Sequence, residues 1–153
     1  MDKAYFSSLI GILEILGDKN GISEINFVDK FIKTDVKEPN LKLCLDELEA
    51  YFSGKLKNFS VRLNIQATPF QKSVYKALLN IPYGTTATYS DVAKMIHNQK
   101  AQRAVGSANA KNKIPIIIPC HRVVGANSLG GYSGAGGLKT KEILLNLEKG
   151  NLS

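Results

Sequence analysis

Cysteine and histidine are scarce in this sequence, with two of each in 153 residues. Cys44, His97, Cys120 and His121 are spread along the chain, whereas a closed zinc site needs four grouped nitrogen or sulfur ligands, so no metal is expected. Two cysteines in dissimilar local sequences of a small basic chain point to free thiols in a reducing compartment rather than to a bridge. Long hydrophobic runs are missing too. The opening MDKAYFSSLIGILEIL is interrupted by Glu14 and has neither a basic leader nor a small-residue cleavage site. Nothing approaches the roughly 20 apolar residues that span a bilayer, so the opening reads as a core element of a soluble, cytoplasmic protein. No internal repeat or low-complexity segment is present, and the length suits one ordinary domain or two small ones.

Acidic residues nearly vanish from the second half. Residues 1–67 carry nine Lys/Arg against ten Asp/Glu, while residues 68–153 carry eleven against three, so the net charge of +7 resides entirely in the latter. A half this basic attracts polyanions, nucleic acid first among them, although a merely solubilising surface is the plain alternative. The near-neutral first half is expected to touch DNA little.

The alternation in GISEINFVDKFIK predicts a strand. In LKLCLDELEAYFSG, Leu41, Leu45, Leu48 and Phe52 have the spacing of one helical face, Cys44 reads as a buried inert thiol, and Gly54 supplies a stop. SVRLNIQ reads as a short strand leading to a domain boundary near residue 67. Thr68, Pro69 and Gln71 form a capping box for a helix whose buried face is Phe70, Val74, Leu78 and Ile81. In TYSDVAKMIHNQKAQRAVGSANAKN, Ser90 is expected to cap a helix ending near Ile96. A polar turn and a helix over residues 101–110 complete a helix-turn-helix. Ala101, Ala104, Gly106, Ser107, Ala108 and Ala110 are all small, which fits either close backbone approach to a ligand or a tight helix pair in the core.

The segment KIPIIIPCHRVVGANSLGGYSGAGGLKTKEILLNLEKG carries the chemistry. Ile116–Ile118 between Pro115 and Pro119 reads as a buried strand with Cys120 at its tip. An unperturbed thiol has a pKa near 8.5, and His121 and Arg122 are candidates to favour its anion, with a water as one route for the proton. The glycines around Tyr132 and Ser133 predict a loop close to a ligand. A final helix over residues 138–148 is expected to bury Leu138, Leu145 and Ile143. Glu148, at its end, is either a solvated acid, which spacing favours, or the group that orients His121. Neighbouring Cys and His do not suit a cysteine protease, and the glycines lack the Gly-Lys-Ser/Thr of a phosphate loop.

The residues IPCHRV, preceded by QRAVGSANAKN and followed by YSGAGGLKTKEILLNLE, resemble the O6-alkylguanine-DNA alkyltransferase family over Thr68 to Gly150; LDELEAYFSGKLKNFSV resembles its variable first domain loosely. That resemblance implies an α/β (α+β) fold. A ribonuclease-H-like α/β domain at 1–67 would be followed by a winged helix-turn-helix domain at 68–153. It implies direct reversal of damage, in which the alkyl group of O6-alkylguanine in double-stranded DNA moves irreversibly to Cys120 after base flipping. His121 and Glu148 would draw the thiol proton through a water, and Asn112 would brace the turn before the active-site segment. Arg103 would fill the gap left by the flipped base, with Ala104, Gly106 and Ser107 in the minor groove. Tyr89 would crowd the adjacent phosphate, Pro115 would shape the pocket rim, Val123 would offer its carbonyl to the exocyclic amine, and Tyr132 and Ser133 would wall the pocket. The resemblance implies a monomer with neither metal nor cofactor, and leaves open whether O4-alkylthymine also serves. Tyr75 stands where many members carry Trp, and GYSGAGGL is longer than the YSGGL of some members. Relatives that only bind lesions lack the acceptor cysteine, which this chain has.

Overall fold

The structure, a computed structural model, describes residues 1–151. It divides into a compact unit of Met1–Gln66 and a second beginning at Ala67. In the first, the strands β1 (Asp2–Ser8), β2 (Gly11–Asp18) and β3 (Gly21–Val28) form an antiparallel meander in that order. Leu13, Ile15, Ile22 and Ile25 alternate onto its buried face, which meets the helix α1 (Pro39–Phe52). The expected stripe on α1 is shifted. Leu41, Cys44, Leu48 and Tyr51 are the buried apolar positions, with Glu47 buried beside them, while Leu45 and Phe52 flank them half-buried and Phe52 stacks on Phe6. The strand expected in SVRLNIQ shrinks to a single parallel bridge between Ile22 and Leu63. The buried Glu47 carboxylate accepts the amides of Ser60 and Val61, so those donors are not available to a ladder.

The second unit opens on α2 (Pro69–Leu79), with the Thr68–Gln71 capping box in place. Val74, Tyr75, Ala77 and Leu78 are buried in it, and Phe70 is half-buried. Next come β4 (Ala87–Thr88), α3 (Tyr89–Met95) and α4 (Gln102–Ala110). Thr88, not Ser90, caps α3: its hydroxyl accepts from the Asp91 amide while the Asp91 carboxylate accepts from its own. A reciprocal box satisfies two donors where a lone serine satisfies one, and it sets Tyr89 in the first turn. β5 (Val123–Val124) pairs in parallel with β4, and α5 (Leu138–Gly150) closes the described chain.

Two further expectations fail here. Residues 114–119 are buried, yet they form no strand. Pro115 and Pro119 withhold two donors from any ladder, and the chain coils instead, with Ile118 N–H donating to Ile114 and Ile116 at φ 75°. Cys120 therefore starts a 3₁₀ turn, Cys120–Arg122, rather than ending a strand. On α5 the buried positions are Thr140, Lys141, Leu144 and Glu148, while Leu138 is exposed and Ile143 and Leu145 are half-buried. The core face of that helix is largely polar, because it is turned to the 3₁₀ turn and its charged side chains. No helix among the described residues is long and apolar enough to cross a membrane.

Candidate active site

Cys120 is held by its surroundings more than by its own side chain. Its amide donates to the Ile118 carbonyl at 2.7 Å. Asn112 fixes the coil before it from both ends, the Nδ2 donating to the Ile118 carbonyl at 2.8 Å and the Oδ1 accepting from the Ile114 amide at 3.0 Å. Cys120 is 4% exposed. It lies among the walls of a pocket of about 260 Å³ together with Tyr89, Gly106, Asn109, Ala110, Gly131, Tyr132 and Ser133. That is slightly less than the roughly 300 Å³ at which ordinary ligand clefts begin, enough for a flat ring system. Burial pushes the thiol up from its ordinary value, while the Asn112 side chain and the charge of Lys141 oppose that rise.

Beside it stands a buried polar cluster. His121 Nε2 meets Glu148 Oε2 at 2.6 Å, both side chains fully buried. Arg122 grips the same carboxylate bidentately, Nε to Oε1 at 2.8 Å and Nη2 to Oε2 at 3.0 Å, and its Nη1 donates to the Ile81 carbonyl. The Gly84 amide also donates to Oε1. Burial alone would raise the Glu148 carboxyl, but the hydrogen bonds and charges of His121 and Arg122 hold it well below the usual carboxylate range. Burial pushes the His121 imidazole down, and it stays neutral near pH 7. An ionised Glu148 requires the proton on Nε2, so Nδ1 carries the lone pair, and that buried atom has no hydrogen-bond partner. Arg122, which sequence reading set beside the thiol, serves Glu148 instead.

The pocket wall is tied down on three sides. The Gly131 amide donates to the Tyr89 hydroxyl at 3.3 Å, and the Ser133 hydroxyl donates to the Ala110 carbonyl at 2.9 Å. The Lys141 ammonium donates to the Val123 carbonyl at 2.6 Å and to that of Gly131 at 2.9 Å. Gly130 has φ +74°, and a Cβ there would lie 2.6 Å from the Tyr89 oxygen, so both backbone and space demand glycine. The Tyr132 hydroxyl is buried without a hydrogen-bond partner.

On α4 the exposed positions are Gln102, Arg103, Ala104, Ser107 and Ala110, with Gly106 half-buried against the Tyr89 ring. Val105, Ala108 and Asn109 face inward, and the Tyr75 hydroxyl donates to the Ala108 carbonyl at 2.8 Å. From Ala104 to the end of the helix, no exposed side chain is larger than serine. The structure thus brings Cys120, Tyr89, Gly106, Tyr132 and Ser133 to one pocket, with His121, Glu148 and Asn112 behind it. It leaves Arg103, Ala104 and Ser107 on the outer helix face. Pro115 is buried inside the coil and is not among the residues that line this pocket. Val123 lies beneath the wall.

Sequence reading passed over Asn109 and Lys141. Asn109 lines the pocket, its Nδ2 donates to the Cys120 carbonyl at 3.4 Å, and its Oδ1 is buried without a partner. A polar residue inside a helix of small residues was the available signal. For Lys141 the signal was its place seven residues before Glu148, two turns along one face.

Comparison with known proteins gives a consistent result. Residues 1–65 match the family model described as 6-O-methylguanine DNA methyltransferase, ribonuclease-like domain, and residues 69–150 match its DNA binding domain. A methylated-DNA–protein-cysteine methyltransferase of Methanosarcina acetivorans is 49% identical over 152 residues, 95% of this chain and 96% of that protein. The constitutive enzyme of that name from Bacillus subtilis is 48% identical over 118 residues, 76% of this chain and 71% of the relative. Among solved structures, Mycobacterium tuberculosis OGT in complex with DNA aligns with a TM-score of 0.86 at 39% identity, over 97% of this chain and 93% of that one.

Proposed function

The chain belongs to the 6-O-methylguanine DNA methyltransferase family, its activity is alkylguanine repair in DNA by alkyl transfer, and from that premise we propose that Cys120 is the acceptor, used once. The observation that carries this reading is the buried thiol on the wall of a base-sized pocket, backed by a neutral His121 whose Nδ1 is available and whose Nε2 is locked on Glu148. The Cys120 proton passes to Nδ1, directly or through a water, and the thiolate attacks the alkyl carbon. An S–C bond forms and the C–O6 bond breaks. The electron pair leaves on the guanine oxygen, which needs a proton or a hydrogen bond, and Tyr89, Tyr132 and Ser133, which line the pocket, carry hydroxyl and amide donors that could supply it. The thioether is stable, so one chain repairs one base.

Such a base must leave the duplex, at a cost of a few kcal/mol. The outer face of α4 suits base extrusion, because small residues let its backbone into a minor groove about 6 Å wide, and Arg103 at the helix start reaches into the vacated stack. The protein acts as a monomer on double-stranded DNA in the cytoplasm, nucleoid-associated when bound. Arg103→Ala is expected to slow transfer from a duplex by at least about tenfold, the scale of a lost 1.4 kcal/mol, yet to react with the free base O6-benzylguanine at close to the wild-type rate. An equal loss on both substrates counts against the finger role.

The deciding test is intact mass spectrometry after mixing with a duplex that carries one O6-methylguanine. The expected result is a single gain of about 14 Da mapped to the Cys120 peptide and absent with undamaged DNA. Binding with an unchanged mass would favour a protein that only marks lesions.

A further inference from the structure

The carbonyls around the pocket are engaged: that of Ala110 by the Ser133 hydroxyl, those of Gly131 and Val123 by the Lys141 ammonium, and that of Cys120 by Asn109 Nδ2. The side-chain carbonyl of Asn109 is the exception. Asn109 is 5% exposed and lines the pocket, and its Oδ1 is buried without a hydrogen-bond partner. A buried acceptor left unmatched costs free energy that an arriving donor returns, and such an atom in a native structure calls for a reason. Tyr132 also brings an unpartnered buried oxygen to this wall, but a hydroxyl can donate or accept, whereas an amide oxygen only accepts. The orientation of the Asn109 amide follows from its neighbour: with Oδ1 turned to the Cys120 carbonyl two acceptors would face each other, so Nδ2 takes that place and Oδ1 is left over. At 3.4 Å that bond is long, and the terminal torsion of an asparagine is broad, so a small turn presents Oδ1 to an occupant of the pocket. The backbone beneath is less free. The Tyr75 hydroxyl holds the Ala108 carbonyl and the Ser133 hydroxyl that of Ala110, one residue to either side.

We propose that Asn109 is a base-recognition residue for the alkyl transfer: its free Oδ1 accepts a hydrogen bond from the exocyclic amine of the flipped O6-alkylguanine while Nδ2 stays on the Cys120 carbonyl. The inference rests on the assignment of Cys120 as acceptor in this pocket. The choice of the amine follows from the base itself. Alkylation at O6 leaves N1 without its hydrogen, N3 and N7 carry lone pairs and N9 is bonded to the sugar, so the 2-amine holds the only N–H groups of the damaged base. An atom that can only accept has no other partner there. The amine has two hydrogens, and the contact is compatible with the Val123 carbonyl taking the other. Recognition is thereby tied to the chemistry, because the amide that meets the base edge is bonded to the residue that carries the nucleophile. A base without the amine would leave Oδ1 buried and unmatched with water excluded, and sites of that kind reject the analogue that lacks the group.

The test uses a pair of duplexes that differ by that amine alone, one with O6-methylguanine and one with O6-methylhypoxanthine. Wild type is compared with Asn109→Leu, close in volume and without polar atoms, and with Asn109→Ala. The second-order rate of Cys120 methylation and the affinity are measured on each duplex. Wild type is expected to favour O6-methylguanine by about 10- to 100-fold in rate, and both variants are expected to narrow that ratio by about tenfold, the loss falling mainly on the base that carries the amine. A packing defect alone slows transfer from both duplexes alike and leaves the ratio where it was. That outcome overturns the proposal, as does a wild type indifferent to the amine. If the Leu variant does not fold, the Ala variant decides alone. A wild-type chain that gains no methyl on Cys120 from either duplex sinks the acceptor assignment, and the same ratio taken from the affinities then decides the role of Asn109 by itself.

Discussion

Cys120→Ser is expected to bind an O6-methylguanine duplex within about twofold of the wild-type affinity and to gain no mass from it, a loss on the order of 10⁶-fold, the scale at which a covalent nucleophile counts in other enzymes. The exchange is nearly isosteric, and the residue's backbone amide, not its sulfur, holds the coil to Ile118, so folding should not suffer. What is lost is the anion. A serine hydroxyl is a far weaker acid than a thiol, and the site already pushes the thiol up by burial and relies on Asn112 and Lys141 to counter it. The DNA contacts proposed for the outer face of α4 do not involve the exchanged atom. Methylation of Cys44 in the variant would contradict the assignment. That thiol is buried in the first unit among apolar side chains and pushed up to about 12, where almost none of it is ionised.

How far the sequence could carry this reading depended on the kind of signal. The capping box at Thr68 and the limits of α4 were legible because both rest on neighbours in the chain. The coil at 114–119 was misread because apolar composition marks burial without marking conformation: three isoleucines read as strand, while the two prolines that prevent pairing decided the outcome. The α1 stripe slipped because apolar residues stand at both Cys44 and Leu45 and at both Tyr51 and Phe52, so spacing alone fits two adjacent faces, and the structure buries the one with Cys44 and Tyr51. The active-site chemistry was legible mainly through the motif around Cys120. Its supports were not, because hydrophobic periodicity assigns the inner face of a helix to leucines, and α5 buries Lys141 and Glu148 there instead. Charged residues inside a protein come in compensated sets, and the partners here, Arg122, His121, Val123 and Gly131, arrive from other parts of the chain.

That compensation makes Glu148→Gln the substitution with the widest expected effect. The exchange keeps shape and removes the charge that neutralises Arg122, and breaking a buried pair from one side typically costs about 3–5 kcal/mol, a large fraction of a stability of about 5–15 kcal/mol. The amide would also present N–H groups where His121 Nε2 now donates. The imidazole is expected to shift its proton to Nδ1 and lose the lone pair that draws the thiol proton, slowing transfer by about 10²- to 10⁴-fold. The pH dependence separates this from a packing defect. In the wild type the folded-state carboxyl lies below its unfolded value, so its contribution is complete above about pH 5 and lost as pH falls through 4 and below. Neutral, buried His121 adds a decline that starts below about pH 6.5, where the unfolded chain takes up a proton that the folded one refuses. Urea unfolding at pH 7 and pH 3 is therefore expected to show a wide gap between wild type and Glu148→Gln at the higher pH and a narrower one at the lower, the histidine decline persisting in both. A gap of equal size at the two pH values would mean that the carboxylate's charge is not what holds the cluster together.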